Sequence, residues 1–133
     1  FFEIPGDDFG GTQDVMISPA SFDELFKPAL ARIVGAVKDF DSNLPVAFHS
    51  DGAITKIVPG LVEAGVDILN PLEPLPAMDW AAVKREFGDR LTFWGGLDTQ
   101  RVLPRGTPEQ VRDDVRRNVE ALAPGERQQG GDT

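Results

Sequence analysis

Brief apolar runs alternate along this chain with longer stretches in which apolar residues recur every three or four positions. Pro45-Val46-Ala47-Phe48-His49, Val66-Asp67-Ile68-Leu69-Asn70 and Leu91-Thr92-Phe93-Trp94-Gly95 are short and partly β-branched or aromatic. Gly, Pro or Asp bounds each of them, which is the signature of a buried strand. Phe1 to Ile4 reads as a further strand, entered without its beginning. Phe93 and Trp94 are expected in the core.

The periodic stretches predict amphipathic helices with legible ends. Ser18-Pro19 joins an N-cap hydroxyl to a proline at the first helical position. Phe22, Leu25, Phe26, Ala29, Ile33, Val34 and Val37 then follow at helical spacing. Pro28 falls inside this pattern and should kink or split the helix, because its ring clashes with the preceding turn and it donates no hydrogen bond. A second helix carries Ile54, Ile57, Val58, Leu61 and Val62 and stops near Gly65. A third runs from an Asp79 cap through Trp80, Val83 and Phe87 to Gly88. The last opens on Thr107-Pro108-Glu109-Gln110, a capping box, with Val111, Val115, Val119 and Leu122 along its buried side.

The order is therefore β-α-β-α-β-α-β-α. Strands apolar at consecutive positions are covered on both faces, so the chain is α/β with a parallel sheet. The pattern does not separate a barrel from an open doubly wound sheet. Residues 125–133 contain no apolar side chain and predict a disordered tail after a domain spanning 1–124.

Composition narrows the functions. A net charge of −9 over 133 residues excludes a phosphate-neutralising nucleic-acid surface. The one basic concentration, Arg112, Arg116 and Arg117, shares its helix with Glu109, Asp113, Asp114 and Glu120 and reads as a solvated face. No apolar run approaches the roughly 20 residues that span a bilayer. The absence of cysteine removes disulfides, zinc–thiolate sites and thiol nucleophiles, and the cytoplasm is the default compartment.

In parallel α/β folds the loops after the strands carry the ligand. Here they hold Asp7 and Asp8, then His49-Ser50-Asp51-Gly52, then Asn70-Pro71-Leu72-Glu73-Pro74, then Gly95-Gly96-Leu97-Asp98-Thr99-Gln100. The opposite loops, Phe40 to Asn43 and Phe87 to Arg90, look like plain turns. His49 is the one histidine. It is a structural hydrogen-bonder, a metal ligand with Asp51, or the partner of Asp51 as general base. Asp7 and Asp8 suit a cation or a substrate nitrogen, or simply an Asx-rich turn. Asp98 stands after two glycines at a strand mouth. The expected catalytic set is His49, Asp51 and Asp98. Asp7, Asp8, Asn70, Glu73 and Gln100 are expected to touch a small-molecule substrate.

The runs HSDGAITKIVPGLVEAGVDILNPLEP and MDWAAVKREFGDRLTFWGGLDTQRVLPRGTPEQVRDDV, with the earlier DDFGGTQDVMISPASFDELFKPALARIV, resemble the uroporphyrinogen decarboxylase superfamily over residues 1 to 124. The resemblance implies about half of a TIM (β/α)8 barrel, units four to seven, with segments expected upstream of Phe1. The ending APGERQQGGDT departs from the family, as a truncation or shifted reading frame would produce. One branch of that superfamily is a lyase of porphyrin biosynthesis that decarboxylates a porphyrinogen without cofactor or metal. Its substrate-binding arginines and essential Asp belong to the amino-terminal half. Another branch moves methyl groups between corrinoid proteins and thiols on zinc, through a His-x-Cys-Gly motif. His49-Ser50-Asp51-Gly52 matches that motif with Asp51 in place of the cysteine, so any metal here is expected on His49 and Asp51 with oxygen donors. A decarboxylase-like enzyme, a methyltransferase-like enzyme and a non-catalytic binding module all stay open. An open barrel fragment is further expected to expose Val46, Phe48, Ile68, Leu69 and Phe93 and to pair as a homodimer.

Overall fold

A computed structural model of the chain describes residues 1–4 and 6–123. The tail at 125–133 lies outside the described residues. Four strands, β1 (Phe2–Ile4), β2 (Val46–His49), β3 (Ile68–Leu72) and β4 (Thr92–Gly95), form one parallel sheet in the order β1-β2-β3-β4. A doubly wound sheet reverses its strand order midway. This one never does. With right-handed crossovers, sequential order stacks every helix on the same face, as a barrel does. The chain is an α/β partial barrel of consecutive βα units.

Strand register defines the two faces. Ile4, Phe48, Leu69 and Phe93 lie in one row, with Val46 two residues before Phe48. This row meets the helices, where Leu30, Val34, Val58, Leu61, Val83 and Phe87 complete the core. The other row holds Glu3, Ala47, His49, Ile68, Asn70, Thr92 and Trp94. The expectation of an exposed apolar interior is thereby corrected: Val46, Phe48 and Leu69 are buried on the helix side. Trp94, expected in the core, is 44% exposed because strand alternation turns it to the concave face. Its ring packs edge-on against Phe1, with centroids 5.5 Å apart, across the sheet from β4 to β1.

The helices follow the sequence signals with three differences. Ser18 caps α1 (Pro19–Ser21), accepting from the Ser21 N–H. The helix then widens into a π turn, Phe22–Phe26, before α2 (Lys27–Phe40). The α-helix is thus divided just ahead of Pro28, and the wider turn between the two parts accommodates a residue that cannot donate. Next, α3 (Val58–Glu63) follows a 3₁₀ turn, Thr55–Ile57, and ends before Gly65 at φ +93°. Asp79 caps α4 (Trp80–Phe87). A short α5 (Val102–Arg105) had no sequence signal. The capping box at Thr107 and Gln110 opens α6 (Pro108–Leu122).

The inner side of α6 is only partly covered. Val115 and Val119 are exposed, whereas Asp114 is buried. Asp114 accepts from the Asp98 N–H at 3.1 Å, and Asn118 donates to the Gly96 carbonyl at 2.6 Å. Val115, Val119 and Leu122 still face the sheet, lining an open cavity of about 630 Å³ with Leu91 and Phe93, while Asp114 and Asn118 hold the β4 loop. The third strand starts and ends later than its apolar run; Asp67, just ahead of it, still bonds through its backbone to Val46 and Thr92, and its carboxylate accepts from Lys38 and from the Val46 N–H. Among the described residues no helix is long and apolar enough to cross a membrane.

Candidate functional site

The carboxyl ends of β1 and β2 bring three side chains together. His49 closes β2, on the concave row, and Asp51 follows in the loop. Asp8 arrives from the loop after β1. One ligand atom from each of Asp8, His49 and Asp51 lies within 4.8 Å of the other two. His49 Nε2 stands 3.8 Å from Asp8 Oδ1 and 3.9 Å from Asp51 Oδ2. All three side chains are between 39% and 57% exposed, so the group opens to solvent.

The backbone explains why Asp8 reaches this place. The β1 loop lies directly on the β2 loop. Phe9 N–H donates to Ser50 Oγ, Ala53 N–H donates to the Gly11 carbonyl, and Asp51 N–H donates to Asp8 Oδ1 at 2.9 Å. Gly52 sits at φ +86°, and a Cβ on it would lie 2.2 Å from the Gly10 oxygen. Only glycine allows that approach. Ser50, fully buried, is the residue that sequence reasoning passed over. Its spacing from Phe9 carries no local signal.

Asn70 ends the concave row beside His49. Its Oδ1 is 2.8 Å from His49 Nδ1, and its Nδ2 donates to the Trp94 carbonyl at 3.4 Å. Glu73 ties three loops together: it accepts from the Gly52 N–H at 2.9 Å and from Gln100 Nε2, while its carbonyl accepts from Trp80 Nε1. Glu73, Gln100, Asp51 and Trp94 line one open cavity of about 720 Å³ at this mouth.

Two expected site residues stand apart. Asp7 lines a cleft on the helix side with Phe9, Phe26 and Ile33. Asp98 is at the mouth but committed: Oδ1 accepts from the Gln100 and Arg101 N–H groups and Oδ2 from Arg101 Nε. Burial pushes its carboxyl up, yet the Arg101 N–H and guanidinium outweigh that and hold it below the ordinary 3.8.

One imidazole and two carboxylates are a donor set for a borderline or hard divalent ion. Metal bonds of about 2.0–2.2 Å would need the 3.8–3.9 Å separations to close by only a few tenths of an ångström. The residues fit such an ion.

A sequence-family model described as uroporphyrinogen decarboxylase (URO-D) matches residues 7–130. A methylated-thiol–coenzyme M methyltransferase from Methanosarcina mazei is 27% identical over 101 residues, which is 76% of this chain and 25% of that protein. The chain therefore spans about a quarter of the relative's length. No solved structure matches.

Proposed function

The chain belongs to the uroporphyrinogen decarboxylase family, and from that premise we propose that it carries the metal-holding loops of a methyltransferase-like enzyme acting on a thiol. The observation that carries this reading is the convergence of Asp8, His49 and Asp51. A methylated thiol and a thiol acceptor come from the name of the Methanosarcina mazei relative. A divalent ion, zinc included, would supply Lewis acidity, making a bound thiol easier to deprotonate. The chain's own part is to orient the imidazole through Asn70, to hold Asp8 against the β2 loop, and to leave one side open. Trp94 and the adjoining cavity offer an apolar wall to the rest of a small substrate.

Calorimetric titration of the full chain with zinc and with manganese tests the site. Binding should fall at least tenfold in His49→Ala; equal binding by both proteins would remove His49 from it. With cobalt(II) in place of zinc, an added thiol should produce a thiolate charge-transfer band.

The family's own description favours a second reading, a decarboxylase acting on a porphyrinogen. Against it, Asp8, Asp51 and Glu73 make the mouth acidic, and Arg101 is paired with Asp98. A polycarboxylate substrate would be repelled by these groups and would need the arginines that the resemblance places in the amino-terminal half. Incubation with uroporphyrinogen should leave its carboxylates intact. Edge-to-edge pairing of two copies through β1 and β4 is part of the proposal, and light scattering that gives a monomer at high micromolar concentration would overturn it.

A further inference from the structure

We infer that Asn70 is a positioning residue that fixes the neutral His49 ring with its proton on Nδ1, leaving the Nε2 lone pair aimed between Asp8 and Asp51. The chain of cause begins in the sheet. Between β3 and β4 the register slips: Leu69 pairs with Phe93, but the next pair is Leu72 with Gly95. Irregularities of this kind re-aim side chains beside functional sites. Within the slipped stretch the Asn70 amide reaches across to the Trp94 carbonyl. A carbonyl only accepts, so the amide must turn its NH₂ toward Trp94 and its oxygen the other way.

That oxygen is 2.8 Å from His49 Nδ1. Oxygen again only accepts, so Nδ1 must carry the hydrogen, and in the neutral ring Nε2 is then bare. Neutral imidazole free in water prefers the opposite arrangement, with the proton on Nε2. The protein therefore selects the less common tautomer, and it does so on the ring whose bare nitrogen faces two carboxylates at 3.8 and 3.9 Å. Two further contacts make the arrangement specific. His49 and Asn70 occupy paired register positions on β2 and β3. The Ser50 N–H donates to the Asn70 carbonyl at 2.8 Å, fixing both backbones next to the side-chain bond. The Asp8 and Asp51 carboxylates favour a proton on Nε2, but at 3.8 and 3.9 Å they are beyond hydrogen-bond reach, so the 2.8 Å contact with Asn70 decides the tautomer. Its consequence for metal binding rests on the metal reading of the site.

His49 is the one histidine in the chain, so its ring nitrogens can be read without ambiguity. The experiment is a two-bond ¹H–¹⁵N correlation spectrum of the untagged, ¹⁵N-labelled full chain, at a pH where the ring is neutral. Wild type should show a pyrrole-like Nδ1 and a pyridine-like Nε2. Asn70→Ala should reverse the pattern, and Asn70→Asp, which keeps an acceptor, should restore it. A pyridine-like Nδ1 in wild type, or a pattern unmoved by Asn70→Ala, would overturn the inference. Zinc titration of the same proteins reads the consequence. Asn70→Ala should bind roughly 10- to 100-fold more weakly, the usual effect of losing the partner of a ligating histidine, with Asn70→Asp recovering most of that loss. A wild type with the Nδ1 tautomer that binds neither zinc nor manganese would sink the metal reading and leave the tautomer assignment supported.

Discussion

Single residues divide by how local their signals are. His49 and Asp51 could be found from the sequence because they follow one strand, two positions apart. The contribution of Asp8 to the same group, and of Asn70 to the His49 ring, could not be read there, since only the pairing of β1, β2 and β3 brings them together. Asp98 shows a contact that no local signal gives. A carboxylate after two glycines at a strand mouth reads as catalytic, yet its oxygens are spent on Arg101 and the loop backbone. A definite pH dependence follows. The folded carboxyl titrates below its ordinary 3.8, so the folded state prefers the ionised form. Its stabilising contribution is fully present above that ordinary value and is lost as pH falls through the folded value. Asp98→Asn should therefore lower stability near neutrality and flatten the acid limb of a plot of urea midpoint against pH. A parallel pair of curves would show that the Arg101 pairing does not matter.

At the scale of elements, caps and apolar spacing located the four strands and the principal helices. What they missed depends on contacts with other elements. Periodicity put Val115 and Val119 on the inner side of α6, where they line an open cavity, but it did not show that Asp114 and Asn118 grip the β4 loop. Proline rules predicted trouble at Pro28; they did not say that a π turn would resolve it. Two substitutions separate an element that only stabilises from one that also shapes the site. Thr107→Ala removes the cap of α6 and should cost about 1 kcal/mol, with metal affinity unchanged. Gly52→Ala places a methyl against the Gly10 carbonyl at a positive φ and should cost about 1–3 kcal/mol. It should also weaken zinc binding, because Asp8 rides on the displaced loop. Chemical denaturation and calorimetry on both variants check this, and retained affinity in Gly52→Ala would mean that the loop contact is not what holds Asp8.

For the whole molecule, α/β class was written in the alternation of short apolar runs and amphipathic stretches, while barrel against doubly wound sheet was not. Strand order is a property of the assembled sheet. The βα alternation is the same in both architectures, and only pairing of each strand with the next distinguishes them. Face assignment was hidden for the same reason: Val46, Phe48 and Trp94 are all apolar, and only the register says which meets the helices.

That sequential pairing also sets an order of assembly. Pairing Ala47 with Ile68, or Ile68 with Thr92, closes a loop about half as long as the one closed when Phe2 meets Val46. The entropy of closure grows with loop length, by about 0.6 kcal/mol per doubling. The strand β1 has only three residues and two of them are exposed, so little burial offsets its longer closure. The β2–β3–β4 sheet should form first and β1 should dock last, opening again most readily. Native-state hydrogen exchange should find the amides of Phe2 to Ile4 less protected than those of Ala47 to His49; equal protection would mean that the sheet forms as one unit. Asp8 travels with β1. An ion held by Asp8 as well as by His49 and Asp51 would then act as a clasp on the last strand to arrive, slowing exchange there before anywhere else.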